Sequence, residues 1–191
     1  MKKNILIFII GLLIPSFLIA GELNTGDKAP NLIGLDAKNG ERIILNRVMT
    51  VLQFKKDPNG NPIIGDNGKY ISEFIDNIVV LSFFQRTCMP CIKEIPTFNR
   101  IARNFIFSNV KFLYVNIDPD ITPTTAKRII KKLRIRIPIM LPNQQEAIRQ
   151  YGVKSLPKLF IIGKDKKIAH IFSGFEENLE SDLTNIINRL L

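Results

Sequence analysis

Apolar residues occur along this chain in two patterns, short continuous runs and longer stretches with helical spacing. A run at 78–84, broken only by Ser82, is rich in β-branched and aromatic residues, which is typical of a central buried strand, and a second buried strand is predicted at 110–117. Apolar residues that recur every three or four positions predict four helices, over 89–107, 123–133, 143–151 and 176–191. The alternation of strands and helices predicts an α/β domain.

Local signals add detail to this outline. Thr122 followed by Pro123, and Asn143, are typical of helix starts. Strands at 158–162 and 167–172 flank a turn and predict a hairpin. Further strands are predicted at 42–45 and 48–54, a loop-like extended segment at 22–35, and one helical turn at 71–76. Parallel crossovers followed by a hairpin predict a mixed central β-sheet flanked by helices, with an N-terminal β extension.

The segment 46–69 is longer than a simple connection between two strands. It is rich in turn residues, including Asp57-Pro58-Asn59-Gly60 and Asp66-Asn67-Gly68. We expect an inserted hairpin or loop here, which either shapes a substrate surface or is a tolerated surface insertion.

The N-terminal segment has the layout of a targeting signal. Lys2 and Lys3 precede an almost wholly apolar stretch at 5–20, and small residues follow at Ala20 and Gly21. This predicts a cleaved signal peptide at 1–20, or alternatively an uncleaved N-terminal anchor. In both cases we expect residues 21–191 to form one exported domain.

Composition narrows the possible functions. The 191 residues are 46% apolar and 23% charged, which suits one folded domain and excludes a disordered chain. Leaving Lys2 and Lys3 out of the 27 basic residues gives 25 against 17 acidic ones, a net charge of +8. Without an aromatic–basic binding motif, this charge does not predict nucleic-acid binding. Two Cys and one His exclude a four-ligand Cys/His zinc site, and no phosphate-binding loop motif occurs.

The candidate chemistry lies in Cys88-Met89-Pro90-Cys91, which contains both cysteines of the chain. The motif follows a predicted buried strand and opens a predicted helix, whose N-terminal partial positive charge stabilises a thiolate. Arg86 adds positive potential. Cys88 is then the attacking cysteine, and Cys91 is placed to resolve a mixed disulfide. The alternatives are a fixed structural disulfide, or a copper site formed by Cys88, Cys91 and His170.

Two segments carry a family resemblance. The run 82–96, which contains Cys88-Met89-Pro90-Cys91 and Glu94-Ile95-Pro96, and the block 151–162 resemble the TlpA/ResA-type exported thiol-disulfide oxidoreductases, which have a thioredoxin-like fold. The resemblance implies a cis peptide bond before Pro157. The Leu156 backbone would then face Cys88 and pair with an extended substrate.

Glu94 lies one turn after Cys91 on the same helix face. A partly buried Glu94 could exchange a proton with Cys91, whereas an exposed Glu94 would only be a first-turn acidic residue that the helix dipole stabilises. The family pattern favours the catalytic role.

Several positions depart from the family pattern. The chain has no Trp, and Thr87 stands where the family usually has Trp before the first cysteine. Ser82 replaces the buried Asp of thioredoxin, and Lys158 follows Pro157 where Thr is common. These differences affect the rim of the site and its choice of partner.

The resulting expectation is a periplasmic thiol-disulfide oxidoreductase acting on protein disulfide substrates, with Met89, Pro90, Leu156 and Pro157 at its substrate surface. We expect it to act as a reductase reset by a membrane or periplasmic thiol reductant, with cytochrome c maturation as one role that the resemblance implies. Neither a metal nor an organic cofactor is expected. Membrane contact is expected only if the N-terminal segment stays uncleaved. Two rivals are a copper carrier and a peroxide-reducing enzyme, and the latter is disfavoured because Gln85 replaces the Thr it would need.

Overall fold

The computed structural model describes residues 22–191, so the predicted signal peptide or anchor at 1–20 lies outside the described residues. Five helices connect the strands: α1 Leu45–Met49, α2 Met89–Asn104, α3 Pro123–Leu133, α4 Gln144–Tyr151 and α5 Leu179–Leu190. The strands are β1 Ile33–Asp36, β2 Arg42–Ile44, β3 Thr50–Phe54, β4 Ser72–Asp76, β5 Ile78–Phe84, β6 Val110–Asn116, β7 Ile139–Pro142, β8 Lys158–Ile162 and β9 Ile168–Ser173.

Seven strands form one mixed sheet in the order β2-β1-β7-β6-β5-β8-β9. β5 pairs in parallel with β6, and β6 with β7, whereas the outer strands pair antiparallel. All seven residues of β5 are buried, which explains its continuous apolar run. The predicted mixed sheet with flanking helices is confirmed.

Each face of the sheet carries its own core, because alternate strand residues point to opposite sides. On one face, Val80 and Phe84 of β5 pack with apolar residues of α2, α3 and α5. On the other face, Leu81 and Phe83 pack with α1 and α4, including the wholly buried Tyr151.

The predicted helix starts are confirmed at α3 and α4. The Thr122 hydroxyl accepts the backbone N–H of Thr125 at 3.1 Å, and α3 has the predicted bounds. The Asn143 side chain accepts the N–H of Glu146 at 3.0 Å and caps α4. Both caps satisfy N–H groups that the first helical turn leaves without partners.

Other elements differ from the sequence prediction. The predicted loop at 22–35 overlaps β1, which pairs with β2 and with β7, a strand that the sequence pattern did not predict. β7 forms because distant residues supply its partners, β1 and β6. The helix predicted over 89–107 ends at Asn104, and the helix predicted from 176 begins at Leu179.

The inserted segment is a two-stranded arm separate from the main sheet. The predicted strand 48–54 is wrong at its start, because Val48 and Met49 belong to α1. The helical turn predicted at 71–76 is also wrong, since β4 pairs along its whole length with β3. The paired strands extend to Asp76, beyond the expected boundary at 69. Among residues 22–191, no helix combines the length and apolar character needed to cross a bilayer.

Candidate active site

The two cysteines form a disulfide at the start of α2. Cys88 is the N-cap residue, and its sulfur accepts the backbone N–H of Cys91 at 3.2 Å. Cys91 is buried, with 3% of its surface exposed, whereas Cys88 is partly exposed. Pro90 occupies the first helical turn, where a missing N–H costs nothing. An incoming sulfur therefore reaches Cys88 more readily than Cys91.

A buried carboxylate lies behind the loop that carries Cys88. Because β5 and β6 are parallel neighbours, the residues that follow both strands meet at one edge of the sheet. Asp118, 3% exposed, accepts the backbone N–H of Arg86 at 3.0 and 3.2 Å. Its side chain also accepts the Asn116 amide at 2.7 Å. The Arg86 guanidinium lies 3.8 Å from Asp118, so part of its positive charge is balanced.

Asp118 is a site residue that the sequence analysis missed. It directly follows the strand predicted at 110–117, and the sequence gives it no motif of its own. The available signal was its position after β6, since the carboxyl ends of parallel strands gather functional side chains. The Gln85 amide also donates to the Ile117 carbonyl at 2.9 Å, so the loop before Cys88 is braced twice from this side.

Glu94 is buried, at 8% exposure, one turn after Cys91 on α2. Burial raises the pKa of Glu94 to about 7, against the smaller opposing effect of the Glu176 backbone N–H. That N–H donates to Glu94 Oε1 at 3.2 Å. A carboxyl group with a pKa near neutrality can both accept and release a proton under physiological conditions.

Tyr114 borders the same buried region. Its ring packs against Phe84 and Phe98, and its hydroxyl has no hydrogen-bond partner among the described residues. Burial raises the pKa of Tyr114 well above its usual value, and the charge of Glu94 raises it further. Tyr114 therefore stays protonated beside Glu94.

The Leu156–Pro157 peptide bond is cis, as the resemblance implies. The ladder between β5 and β8 begins at the pair Phe83 and Lys158, which brings Pro157 beside the end of β5. Leu156 thus lies outside the ladder. An open cleft of about 630 Å³ joins this segment to the dithiol, and its lining includes Cys88, Met89, Pro90 and Leu156. Met89 is 61% exposed.

Lys158 is a buried cation behind this segment. Its ammonium group, on a residue 5% exposed, donates to Glu22 at 3.1 Å and to the Ser173 hydroxyl at 2.7 Å. Lys154 also contacts Glu22, at 3.2 Å, and the two lysines lower the pKa of Glu22. The residue that follows the cis-proline therefore anchors the N-terminal end of the described chain.

His170 is not brought to the cysteines. It lies on β9, where its ring packs 4.6 Å from that of Phe172. Within the described part of the chain, no group of three or more His, Cys, Asp or Glu side chains is arranged to hold a metal ion. This placement disfavours the copper site that the sequence left open.

Comparison with known proteins gives consistent matches. Residues 61–171 match the model of the AhpC/TSA family. The chain is 30% identical to the thiol-disulfide oxidoreductase ResA of Bacillus thuringiensis strain Al Hakam, over 97% of this chain and 99% of that protein. The chain is also 24% identical to the thiol-disulfide oxidoreductase ResA of Bacillus subtilis strain 168, over 96% of this chain and 88% of that protein.

Solved structures agree on the fold. The thioredoxin domain of a thiol-disulfide oxidoreductase from Bacteroides vulgatus superposes with a TM-score of 0.66 at 17% identity, covering 87% of this chain and all of that domain. A thioredoxin family thiol:disulfide interchange protein from Chlorobium tepidum superposes with a TM-score of 0.62 at 15% identity, covering 89% of this chain and 99% of that protein. The thioredoxin-like fold expected from the sequence is confirmed.

Proposed function

We propose that this chain, which belongs to the AhpC/TSA family and is a ResA-type thiol-disulfide oxidoreductase, acts as a reductase of protein disulfides outside the cytoplasm. The observation that carries this proposal is the exposure difference within the dithiol. The partly exposed Cys88 faces the cleft, whereas Cys91 is buried behind it. Thiol-disulfide exchange needs one accessible sulfur for the partner and one protected sulfur to complete the reaction.

The reaction starts from the reduced dithiol. The Cys88 thiolate attacks one sulfur of a substrate disulfide, forms a mixed disulfide and releases the other substrate sulfur as a thiolate. The Cys91 thiolate then attacks Cys88 Sγ, which forms the Cys88–Cys91 disulfide and releases the second substrate thiolate. Two electrons pass to the substrate, and the oxidised pair is the state in this structure.

Glu94 is the proposed proton acceptor for the second step. Cys91 must lose its thiol proton before it attacks, and burial in apolar surroundings disfavours its thiolate. Glu94 lies one turn further along the same helix, and its pKa of about 7 suits proton exchange near neutral pH.

The cleft is the proposed substrate surface. Met89, Pro90 and Leu156 line it, and the buried Pro157 follows Leu156 directly through the cis bond. An extended substrate segment can pair with the Leu156 backbone, which lies outside the β8 ladder, and place its disulfide against Cys88.

The proposed direction is reduction. A His between the cysteines would favour a strong oxidant by stabilising the Cys88 thiolate, and Met89 supplies no such charge. A membrane or periplasmic thiol reductant would reset the disulfide. The charged, apolar and small-residue pattern of the N-terminal segment supports a periplasmic location, in which apocytochrome c is a suitable substrate class.

Insulin reduction tests this function directly. The full chain supplied with dithiothreitol should accelerate precipitation of the insulin B chain, and Cys88→Ala should abolish the effect. Cys91→Ala should instead accumulate a mixed disulfide at Cys88, which a reductant releases. Hydrogen peroxide consumption serves as the counter-assay: turnover of peroxide without insulin reduction would overturn the proposal and favour a peroxide-reducing enzyme.

A further inference from the structure

A second concave region lies away from the dithiol, at an open edge of the central sheet. A groove of about 960 Å³ runs between the second half of α2, the first residues of β6 and the segment that leads into β7. Arg103, on its wall, follows Cys88 by 15 residues, which is about 22 Å along a helix axis. The groove is therefore separate from the proposed substrate cleft.

The edge exists because β6 is longer than its partner β7. The ladder between these strands begins at Tyr114, whereas β6 begins at Val110. Ile78 donates to the Asn109 carbonyl and Tyr114 donates to the Pro138 carbonyl. Backbone groups alternate in direction along a strand, so those of Val110 and Phe112 point toward β7, like those of Tyr114.

Pro138 keeps this edge open. In a continuous parallel ladder, residue 138 would donate its N–H to the Phe112 carbonyl, and proline has no N–H to donate. The N–H and carbonyl groups of Phe112 thus face the groove with no β7 residue in register. A strand edge of this kind is a template for an added strand.

The side chains around the edge define what it would accept. The walls are mainly apolar, and include Ile43, Val48, Pro96, Ile106, Phe112 and Leu133. Five cations line the groove, and one of them, Arg100, is paired with Glu180. The other four are Arg103, Lys111, Arg134 and Arg136. None of the four forms an ion pair within residues 22–191. The one acidic lining residue, Asp36, accepts the backbone N–H of Lys38 at 2.6 Å.

We propose that this groove, defined by β6 residues 110–113, the second half of α2 and residues 133–138, binds an extended acidic and apolar segment of a partner protein by strand addition. Charge complementarity selects acidic residues, and the apolar walls select the residues between them. The open backbone edge selects a peptide over a lipid, because an acyl chain offers no partner for the Phe112 amide.

A synthetic probe tests the proposal with the full chain in phosphatidylcholine nanodiscs. The probe is a fluorescein-labelled octapeptide that alternates Glu with Val or Ile, followed by fluorescence anisotropy. We expect saturable binding, and at least tenfold weaker binding when Lys replaces Glu. N-methylation of alternate amides, which blocks strand pairing, should weaken binding to the same extent. No saturable binding of the acidic peptide, or equal binding of the methylated one, would overturn the proposal.

Charge reversal locates the site. Arg103→Glu with Arg136→Glu should weaken binding at least tenfold, because the two side chains stand on different walls of the groove. The matched control is Lys127→Glu with Arg128→Glu, an exposed basic pair on α3 outside the groove, and it should change affinity less than threefold. Equal losses in both double variants would mean that net charge alone attracts the peptide, which overturns the assignment.

Amide hydrogen exchange tests the proposed strand pairing in the wild-type chain, so this test does not require a variant to fold. Saturating peptide should slow exchange of the Phe112 amide at least tenfold and leave that of Leu113, which faces β5, unchanged. Binding without protection of Phe112, or displacement of the peptide by palmitate at lower concentration, would favour a lipid site and overturn strand addition. Insulin reduction by the same samples reports on the dithiol separately, so the failure of one proposal is distinguishable from that of the other.

Discussion

The backbone N–H of Glu176 donates to the Oε1 atom of Glu94 at 3.2 Å, and thereby joins the segment before α5 to the helix that carries the cysteines. A second contact supports the same junction, because Arg100 of α2 pairs with Glu180 of α5 at 2.6 Å. The Glu94 side chain, one turn after Cys91, is therefore held by a backbone N–H although no cation pairs with it in the described structure. This explains how a carboxyl group with a raised pKa is kept at the site.

Glu94→Gln should slow the resolving step. Gln keeps the acceptor for the Glu176 N–H but cannot take a proton, and general-base contributions are typically about 100-fold or more. Stopped-flow decay of a preformed Cys88 mixed disulfide measures the step. In the wild type the rate should rise through an apparent pKa of about 7, and this inflection should vanish in the variant. An unchanged pH profile would remove Glu94 from the reaction.

The same variant should change the stability of the chain in a direction that depends on pH. The pKa of Glu94 is raised in the folded chain to about 7, from an ordinary value of 4.5. The unfolded chain therefore loses this proton first, and wild-type stability falls between about pH 4.5 and 7. Above pH 7, Glu94→Gln should have a free energy of unfolding on the order of 1 kcal/mol higher than wild type, after a discount for solvent screening. Below pH 4.5, the two proteins should have the same free energy of unfolding. A reversed pH trend would contradict the buried carboxyl.

Asp118→Ala should destabilise the chain by about 2–3 kcal/mol in urea unfolding. The change leaves the Arg86 N–H and the Asn116 amide without their buried acceptor. Asp118→Asn keeps one acceptor oxygen and should cost less. Asp120→Asn is the matched control, because this neighbour is exposed and outside the network, and it should stay within about 0.5 kcal/mol of wild type. Equal effects at both positions would contradict the bracing role.

Tyr114→Phe should stabilise the oxidised chain by about 1 kcal/mol. The hydroxyl is buried without a partner, so its removal relieves a desolvation penalty while the ring contacts with Phe84 and Phe98 remain. Tyr70→Phe changes an exposed hydroxyl on the arm and should be neutral. A loss of stability in Tyr114→Phe would show that the hydroxyl has a partner in solution.

Met89→His should make the dithiol more oxidising. A protonated His beside Cys88 at the helix start favours the thiolate, and each tenfold change in the exchange equilibrium corresponds to about 30 mV. We expect a rise of at least this size, measured in glutathione buffers. Met89→Leu keeps the exposed apolar rim and should leave the potential unchanged. A fall in potential in Met89→His would contradict the thiolate argument.

Elements whose signals are local could be predicted from the sequence. α3 was predicted with its bounds because Thr122 and Pro123 fix its start, and β8 because a turn separates it from the strand with which it forms a hairpin. β4 and β7 were missed because their partners are distant along the chain: β3 for the first, β1 and β6 for the second. Pairing of this kind leaves little trace in a short window of residues.

The active site shows the same division. Cys88 and Cys91 could be identified from their spacing and their place after a buried strand, and the cis bond at Pro157 from the family resemblance. For Asp118 the sequence offered only its position after a predicted strand, and for the Glu176 N–H it offered nothing, because these groups meet Arg86 and Glu94 only once distant elements have packed together. A single sequence thus indicates the reacting atoms better than the groups that hold them.

The reduction potential of the Cys88/Cys91 pair tests the central claim most directly. The full chain would be equilibrated in dithiothreitol and glutathione buffers, and the fraction of disulfide followed by thiol alkylation. If the chain is a reductase, the pair should titrate as a single two-electron couple with a potential near the thioredoxin value of about −270 mV. A value near −120 mV, roughly that of a strong disulfide donor, would contradict the proposed direction.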